Sequence, residues 1–184
     1  MSTVVYVVVI ALAVGLACYF LARFGRSYFK LRGKRLVTCP ETHQPAAVSL
    51  EAGQGALKAV IGVRHLWLSE CSRWPERQGC GQECLKQIEL APEACLVRLI
   101  VTNWYAGKPC AVCLRTIDEV EWLGHNPALM DPEGKAIGWE AVAPEKLPEV
   151  FSTYRPVCWD CNVAETLRRE HPELVTERPW TWRP

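Results

Sequence analysis

The chain has 184 residues, 49% hydrophobic and 22% charged, with 13 Pro and 12 Gly, proportions that exclude a disordered, collagen-like or low-complexity protein. Its formal charge of +1 is unevenly spread: Arg23, Arg26, Lys30, Arg32, Lys34 and Arg35 precede the first acidic residue, Glu41, leaving 15 basic residues against all 20 acidic ones from residue 36 onward. An acidic body excludes a broad nucleic-acid face, and the remaining outliers are 10 Cys and 8 Trp.

From Val4 to Ala22 the chain reads VVYVVVIALAVGLACYFLA. That is close to the roughly twenty uncharged residues a helix needs to cross about 30 Å of hydrocarbon. No basic residue precedes the run and no small-residue cleavage site follows it, so it reads as an uncleaved anchor rather than a secretory leader. A buried core helix would need protein on every side, because the run has no polar face. All six early cations follow it, which by the positive-inside rule places the N-terminus outside and the C-terminal part in the cytoplasm. Tyr19, Phe20, Phe24, Tyr28 and Phe29 suit an interfacial belt, and Ala11 with Gly15 forms a small-xxx-small pair. The expected organisation is a transmembrane anchor over 1–22, a basic juxtamembrane segment over 23–35 and a single-pass protein in the bilayer.

With no repeat and no long linker, residues 36–184 are expected to form one compact α+β unit, with a cysteine-containing region over 36–107 and a second over 108–184. A strand or turn at Leu36–Pro40 leads into an extended stretch that breaks at Gly53 and Gly55. AVIGVRHLWL, residues 59–68, alternates as a strand does. Cys84, Leu85 and Ile88 have helical spacing. A helix is expected from Pro92 to the stop at Gly107, and a hairpin over 129–142 around Pro-Glu-Gly-Lys. The last helix, NVAETLRREH, is capped by Asp160 and stops before Pro172.

The topology gives the cysteines their meaning. In a reducing cytoplasm closely spaced cysteines are metal ligands or redox centres, whereas a reversed topology would make them disulfide candidates. Cys110 and Cys113 in KPCAVCLRTI, and Cys158 and Cys161 in RPVCWDCNVAE, form two CxxC pairs. Each pair lets two thiolates converge on one ion at about 2.3 Å, and two pairs complete a tetrahedral site. Turn, hairpin and helix follow in an order that resembles the treble-clef family of zinc-binding domains over about residues 108–172. The resemblance implies that Cys110 and Cys113 are knuckle ligands and that Cys158 and Cys161 are ligands from the first helical turn. Leu114 stands where such knuckles often carry Gly.

Leu114 and Asn162 follow the pairs, so the CxxCH of covalent haem is excluded. A thioredoxin-like pair at Cys158 and Cys161 lacks a preceding βαβ pattern. Rubredoxin-type iron uses the same two knuckles and stays open beside zinc. Cys39, Cys71, Cys80 and Cys84 are candidates for a second four-sulfur site, with Cys80 and Cys84 facing one way on a helix and His43 able to replace a ligand. Zinc is favoured there over an iron-sulfur cluster, because no ferredoxin spacing appears. Cys95 reads as a small buried hydrophobe and Cys18 as membrane-facing. His65, His125 and His171 read as ordinary histidines. Trp67, Trp74, Trp104, Trp122, Trp139 and Trp159 are expected to fill the core, with Trp74 and Trp122 candidates for an exposed partner surface. Trp180 and Trp182 lie in a Pro-rich tail that suits docking.

The run Asp118, Glu119, Glu121 reads as a solvated face. No hydrolase elbow, P-loop, dinucleotide glycine motif or HExxH is present, so no enzymatic activity is expected. The leading expectation is a membrane-anchored protein with a cytoplasmic zinc-stabilised module that binds another protein in a membrane complex. The alternative is an electron-transfer protein with rubredoxin-type iron or an iron-sulfur cluster. Metal trafficking or thiol redox chemistry is a third reading.

Overall fold

The computed structural model describes residues 2–60, 62, 66–74, 76 and 79–174. It is a mixed helix and sheet structure with two compact units, residues 1–98 and 99–184, where one unit was expected over residues 36–184. His65 and the tail with Trp180 and Trp182 lie outside the described residues.

In the first unit, helix α1 (Ser2–Leu31) has 30 residues, about 45 Å at 1.5 Å per residue. It is long and apolar enough to cross a membrane, the one such helix among the described residues, and its most apolar stretch is not buried. Its C-terminal end belongs to the fold of the first unit: Leu31 packs against that unit's core. Three antiparallel strands follow, β1 (Lys34–Thr38), β2 (Pro45–Leu50) and β3 (Leu68–Cys71), in the order β1-β2-β3. Alternation puts Val37, Ala46, Val48, Leu50 and Leu68 on one buried face, which Cys84 and Ile88 cover. Helix α3 (Leu85–Leu90) is tied to β1 by Gln87, whose amide accepts from the Thr38 N–H at 3.1 Å and donates to the Thr38 carbonyl at 2.6 Å.

Two sequence expectations change here. Gly53 and Gly55 do not break the chain but lie inside helix α2 (Ala52–Val60), so residues 59 and 60 are helical rather than extended. At Gly55 an added Cβ would fall 2.8 Å from Leu31 Cδ1, so glycine there lets α2 approach the end of α1. Arg35, counted among the juxtamembrane cations, is fully buried. Its guanidinium donates to the carbonyls of Lys30 (2.7 Å), Leu31 (2.7 Å) and Gly33 (3.2 Å), the first two being acceptors that the end of α1 leaves without helical partners.

The unit boundary falls inside helix α4 (Val97–Tyr105), which begins five residues after the expected Pro92 start because residues 92–95 form turns. In the second unit a two-stranded hairpin, β4 (Lys108–Pro109) with β5 (Thr116–Ile117), is followed by a three-stranded sheet in the order β7-β6-β8. Its strands are β6 (Ala128–Met130), β7 (Ala136–Ile137) and β8 (Arg155–Val157). The expected hairpin is the β6–β7 pair, and its turn is held by Asp131 Oδ1, which accepts from the Lys135 N–H at 2.8 Å. Helix α5 (Leu147–Thr153) precedes β8, and α6 (Trp159–Glu170) follows it.

Trp104 packs with Tyr105, Trp139 and Phe151 at ring separations of 5.0, 6.4 and 5.1 Å. The fully buried aromatic is Tyr105, whose hydroxyl donates to the Ala128 carbonyl and accepts from Trp139 Nε1 at 3.2 Å. All six tryptophans expected in the core are half-buried. Trp74 packs against the core of the first unit, and Trp122 is held by its indole N–H, which donates to Thr102 at 3.0 Å.

Candidate metal centre

The second unit brings the two CxxC pairs together. The sulfurs of Cys110, Cys113, Cys158 and Cys161 all lie within 4.8 Å of one another, and none is in a disulfide. A tetrahedral ion with sulfur at about 2.3 Å requires its ligands roughly 3.8 Å apart. The Cys113 and Cys158 sulfurs are 3.8 Å apart. The donor set therefore fits a thiophilic ion such as zinc or iron, and four thiolates fill four positions without leaving one open.

Backbone geometry explains the convergence. The connection between β4 and β5 runs from Cys110 to Arg115, closed by the Cys110 N–H donating to the Arg115 carbonyl at 2.9 Å and the Leu114 N–H to the Cys110 carbonyl at 3.0 Å. Closing it requires a left-handed backbone at Leu114, with φ of 61°. The N–H groups of Val112 and Cys158 donate to Cys110 Sγ at 3.5 and 3.3 Å, so this fully buried sulfur is solvated by the peptide. Ala111 N–H donates to the Pro156 carbonyl at 2.7 Å, which fastens the turn to β8 just before the second pair. Cys158, not Asp160, is the N-cap of α6, and Asp160 lies in the first turn, where it pairs with Arg115 at 3.4 Å.

Electrostatics set the four apart. Burial acts to raise the Cys113 thiol, but the Arg115 N–H and guanidinium, then Cys161 and Cys110, hydrogen-bond to it and bring it down to about 6. Burial pushes the Cys158 thiol up, and burial with the neighbouring sulfurs of Cys158, Cys113 and Cys110 pushes Cys161 higher still. Four anions cannot share this space alone; a dication among them lets all four ionise.

Leu114 provides a prediction. Its side chain is 75% exposed, so Leu114→Gly removes left-handed strain with little loss of packing. The variant is expected to be stabilised by about 1 kcal/mol once the greater freedom of glycine in the unfolded chain is offset. Thermal melting of the metal-loaded protein checks it; a lower transition temperature would refute the strain.

The other candidates fall in the first unit. Cys39, Cys71, Cys80 and Cys84 line a single cavity of about 190 Å³ with Arg73 and Trp74. Among the described residues, the one group of such side chains with ligand atoms within 4.8 Å of one another is that of Cys110, Cys113, Cys158 and Cys161. Burial, then the charges of Cys71, Cys80 and Cys39, push the Cys84 thiol up to about 11. Cys80 and Cys84 do not share a helix face: α3 starts at Leu85, Cys84 is its N-cap and Cys80 precedes it. His43 is exposed and outside the cavity lining, so it replaces no ligand there. Cys95 packs half-buried against the core, its thiol raised by burial, and Cys18 is exposed on α1. His125 is exposed, paired with Glu121 at 2.8 Å, and its ring lies 5.8 Å from Trp159. His171 is the C-cap of α6. The sequence reading missed Arg115, which sits two residues past the first CxxC pair and acts on Cys113.

Beside the centre, Asp118, Glu119, Glu121, His125, Trp159 and Asp160 contribute to the lining of an open groove of about 450 Å³. No family model, curated protein or solved structure matches the chain.

Proposed function

We propose that this is a single-pass membrane protein, N-terminus outside, whose cytoplasmic part is a zinc-stabilised, treble-clef-like module that binds another protein in a membrane complex. The observation that carries the reading is the four-thiolate set of Cys110, Cys113, Cys158 and Cys161, saturated by its own ligands and suited to holding a fold together. The order of knuckle, hairpin and helix supports the treble-clef comparison, and the apolar α1 followed by basic residues supports the anchor and its direction. The groove supports binding: its lining holds four carboxylates, Asp118, Glu119, Glu121 and Asp160, against one arginine, Arg115, and Leu123 beside it in sequence is 91% exposed. That chemistry suits a basic segment of a partner.

A second reading has its own observation. The N–H groups of Val112 and Cys158 donate to Cys110 Sγ, and such bonds tune the potential of thiolate-bound iron. Metal analysis with an absorption spectrum, on the full chain purified anaerobically in detergent, separates the two. A colourless protein containing zinc supports the structural module, whereas visible absorption with bound iron supports electron transfer. For binding, the triple variant Asp118→Lys, Glu119→Lys and Glu121→Lys is expected to weaken partner capture from solubilised membranes at unchanged zinc content. Capture unaffected by the reversal would remove the groove from the reading.

A further inference from the structure

The first unit repeats the backbone device of the first centre. Between β1 and β2 the connection runs from Cys39 to Gln44, flanked by the pair Thr38 and Pro45; between β4 and β5 it runs from Cys110 to Arg115, flanked by Pro109 and Thr116. Both connections open with cysteine and have the same length. In both, the N–H of the first residue donates to the carbonyl of the last, at 2.9 Å for Cys39 to Gln44 and 2.9 Å for Cys110 to Arg115. In both, the N–H of the fifth residue donates back to the cysteine carbonyl, at 2.8 Å from His43 and 3.0 Å from Leu114. That fifth residue is left-handed each time, φ 54° at His43 and 61° at Leu114, although neither is glycine. Cys39 thus occupies the position of Cys110, and Thr42 the position of Cys113.

A knuckle with one cysteine needs three ligands from elsewhere, and the fold brings three. Cys39, the first residue past β1, packs half-buried against the core cluster that includes Val37, and Cys71 stands opposite buried Val48 at the end of β3. Cys84 caps α3 over that face, and Cys80 closes the same cavity. Arg73 also lines it, and its Nε is sealed from solvent without a hydrogen-bond partner among the described residues. A buried N–H donor on a residue lining the cavity that the four cysteines share is suited to a thiolate acceptor.

We propose that Cys39, Cys71, Cys80 and Cys84 form a second four-thiolate site for a thiophilic divalent ion of the zinc class, so that each unit has its own metal. Binding one dication replaces four S–H protons, which leave to solvent, and gives a centre of charge −2 that the Arg73 guanidinium partly offsets. The site stands independently of the first centre.

The test is zinc per chain, by elemental analysis, on the full-length protein in detergent micelles, paired with mass-spectrometric mapping of thiol alkylation. Two zinc per chain are expected, with Cys39, Cys71, Cys80 and Cys84 resistant to iodoacetamide until a chelator is added. The double variant Cys71→Ser/Cys84→Ser is expected to retain one zinc, with Cys110, Cys113, Cys158 and Cys161 still protected. The wild-type mapping needs no variant to fold. One zinc per chain, with Cys39, Cys71, Cys80 and Cys84 alkylating at the same rate with and without chelator, overturns this site and leaves the other intact. A chain in which both sets react freely and no zinc is found overturns both.

Discussion

Replacing Cys110 with serine is expected to strip the metal from residues 99–184 and leave that unit unfolded at 25 °C. Cys110 is fully buried, its sulfur accepts from Val112 and Cys158, and it starts the turn that aligns Cys113. Its loss removes a ligand and both N–H acceptors together. Structural zinc contributes roughly 10–16 kcal/mol in small domains, comparable to or above the about 5–15 kcal/mol total stability of a typical domain. Apart from its helices the unit has only short strands, β4, β5 and β7 having 2 residues each, so without an ion little sheet pairing holds it together. Metal content with amide hydrogen exchange over β6, β8 and α6 checks the outcome. Protection close to wild type with no bound metal would show that the centre does not hold the unit together.

The second large effect is expected at Arg35. Arg35→Met retains apolar volume but removes the donors that serve three carbonyls at the junction of α1 and β1. Burial lowers the guanidinium, with the nearby Cys95 acting the other way, yet an arginine stays cationic throughout the accessible pH range. Leaving those carbonyls without partners is expected to cost about 3–5 kcal/mol. Arg35→Lys keeps the charge without the planar fork and is expected to lose less. Hydrogen exchange of the β1 and β2 amides in micelles measures both, and a methionine variant with unchanged protection would refute the capping role. Because α1 carries the apolar segment, the same junction is where an anchor would be coupled to the first unit.

The elements legible beforehand are those whose signal lies within a few neighbouring residues. The uncharged run from Val4 to Ala22, the turn after Met130, the helix following Cys158 and the two CxxC pairs are all of this kind, and the structure forms α1, the β6–β7 hairpin, α6 and the four-sulfur cluster from them. Other features required contacts between distant residues. Gly53 and Gly55 suggest a break, but α2 forms because Gly55 admits Leu31, and tertiary packing outweighs local propensity. Arg35 looks like another membrane-proximal cation until the fold closes over it. The kinship of Cys39–Gln44 with Cys110–Arg115 is hidden because Thr42 stands where the second cysteine of a CxxC would be; only strand register and matching hydrogen bonds expose it. Local spacing thus sufficed for the long apolar helix and the paired thiols, while the burial of charge, the division into two units and the placing of Cys39, Cys71, Cys80 and Cys84, named beforehand only as candidates, around one cavity depended on the folded chain. The physical reason is range: turn and helix signals act over four or five residues, whereas strand pairing and core packing join residues tens of positions apart.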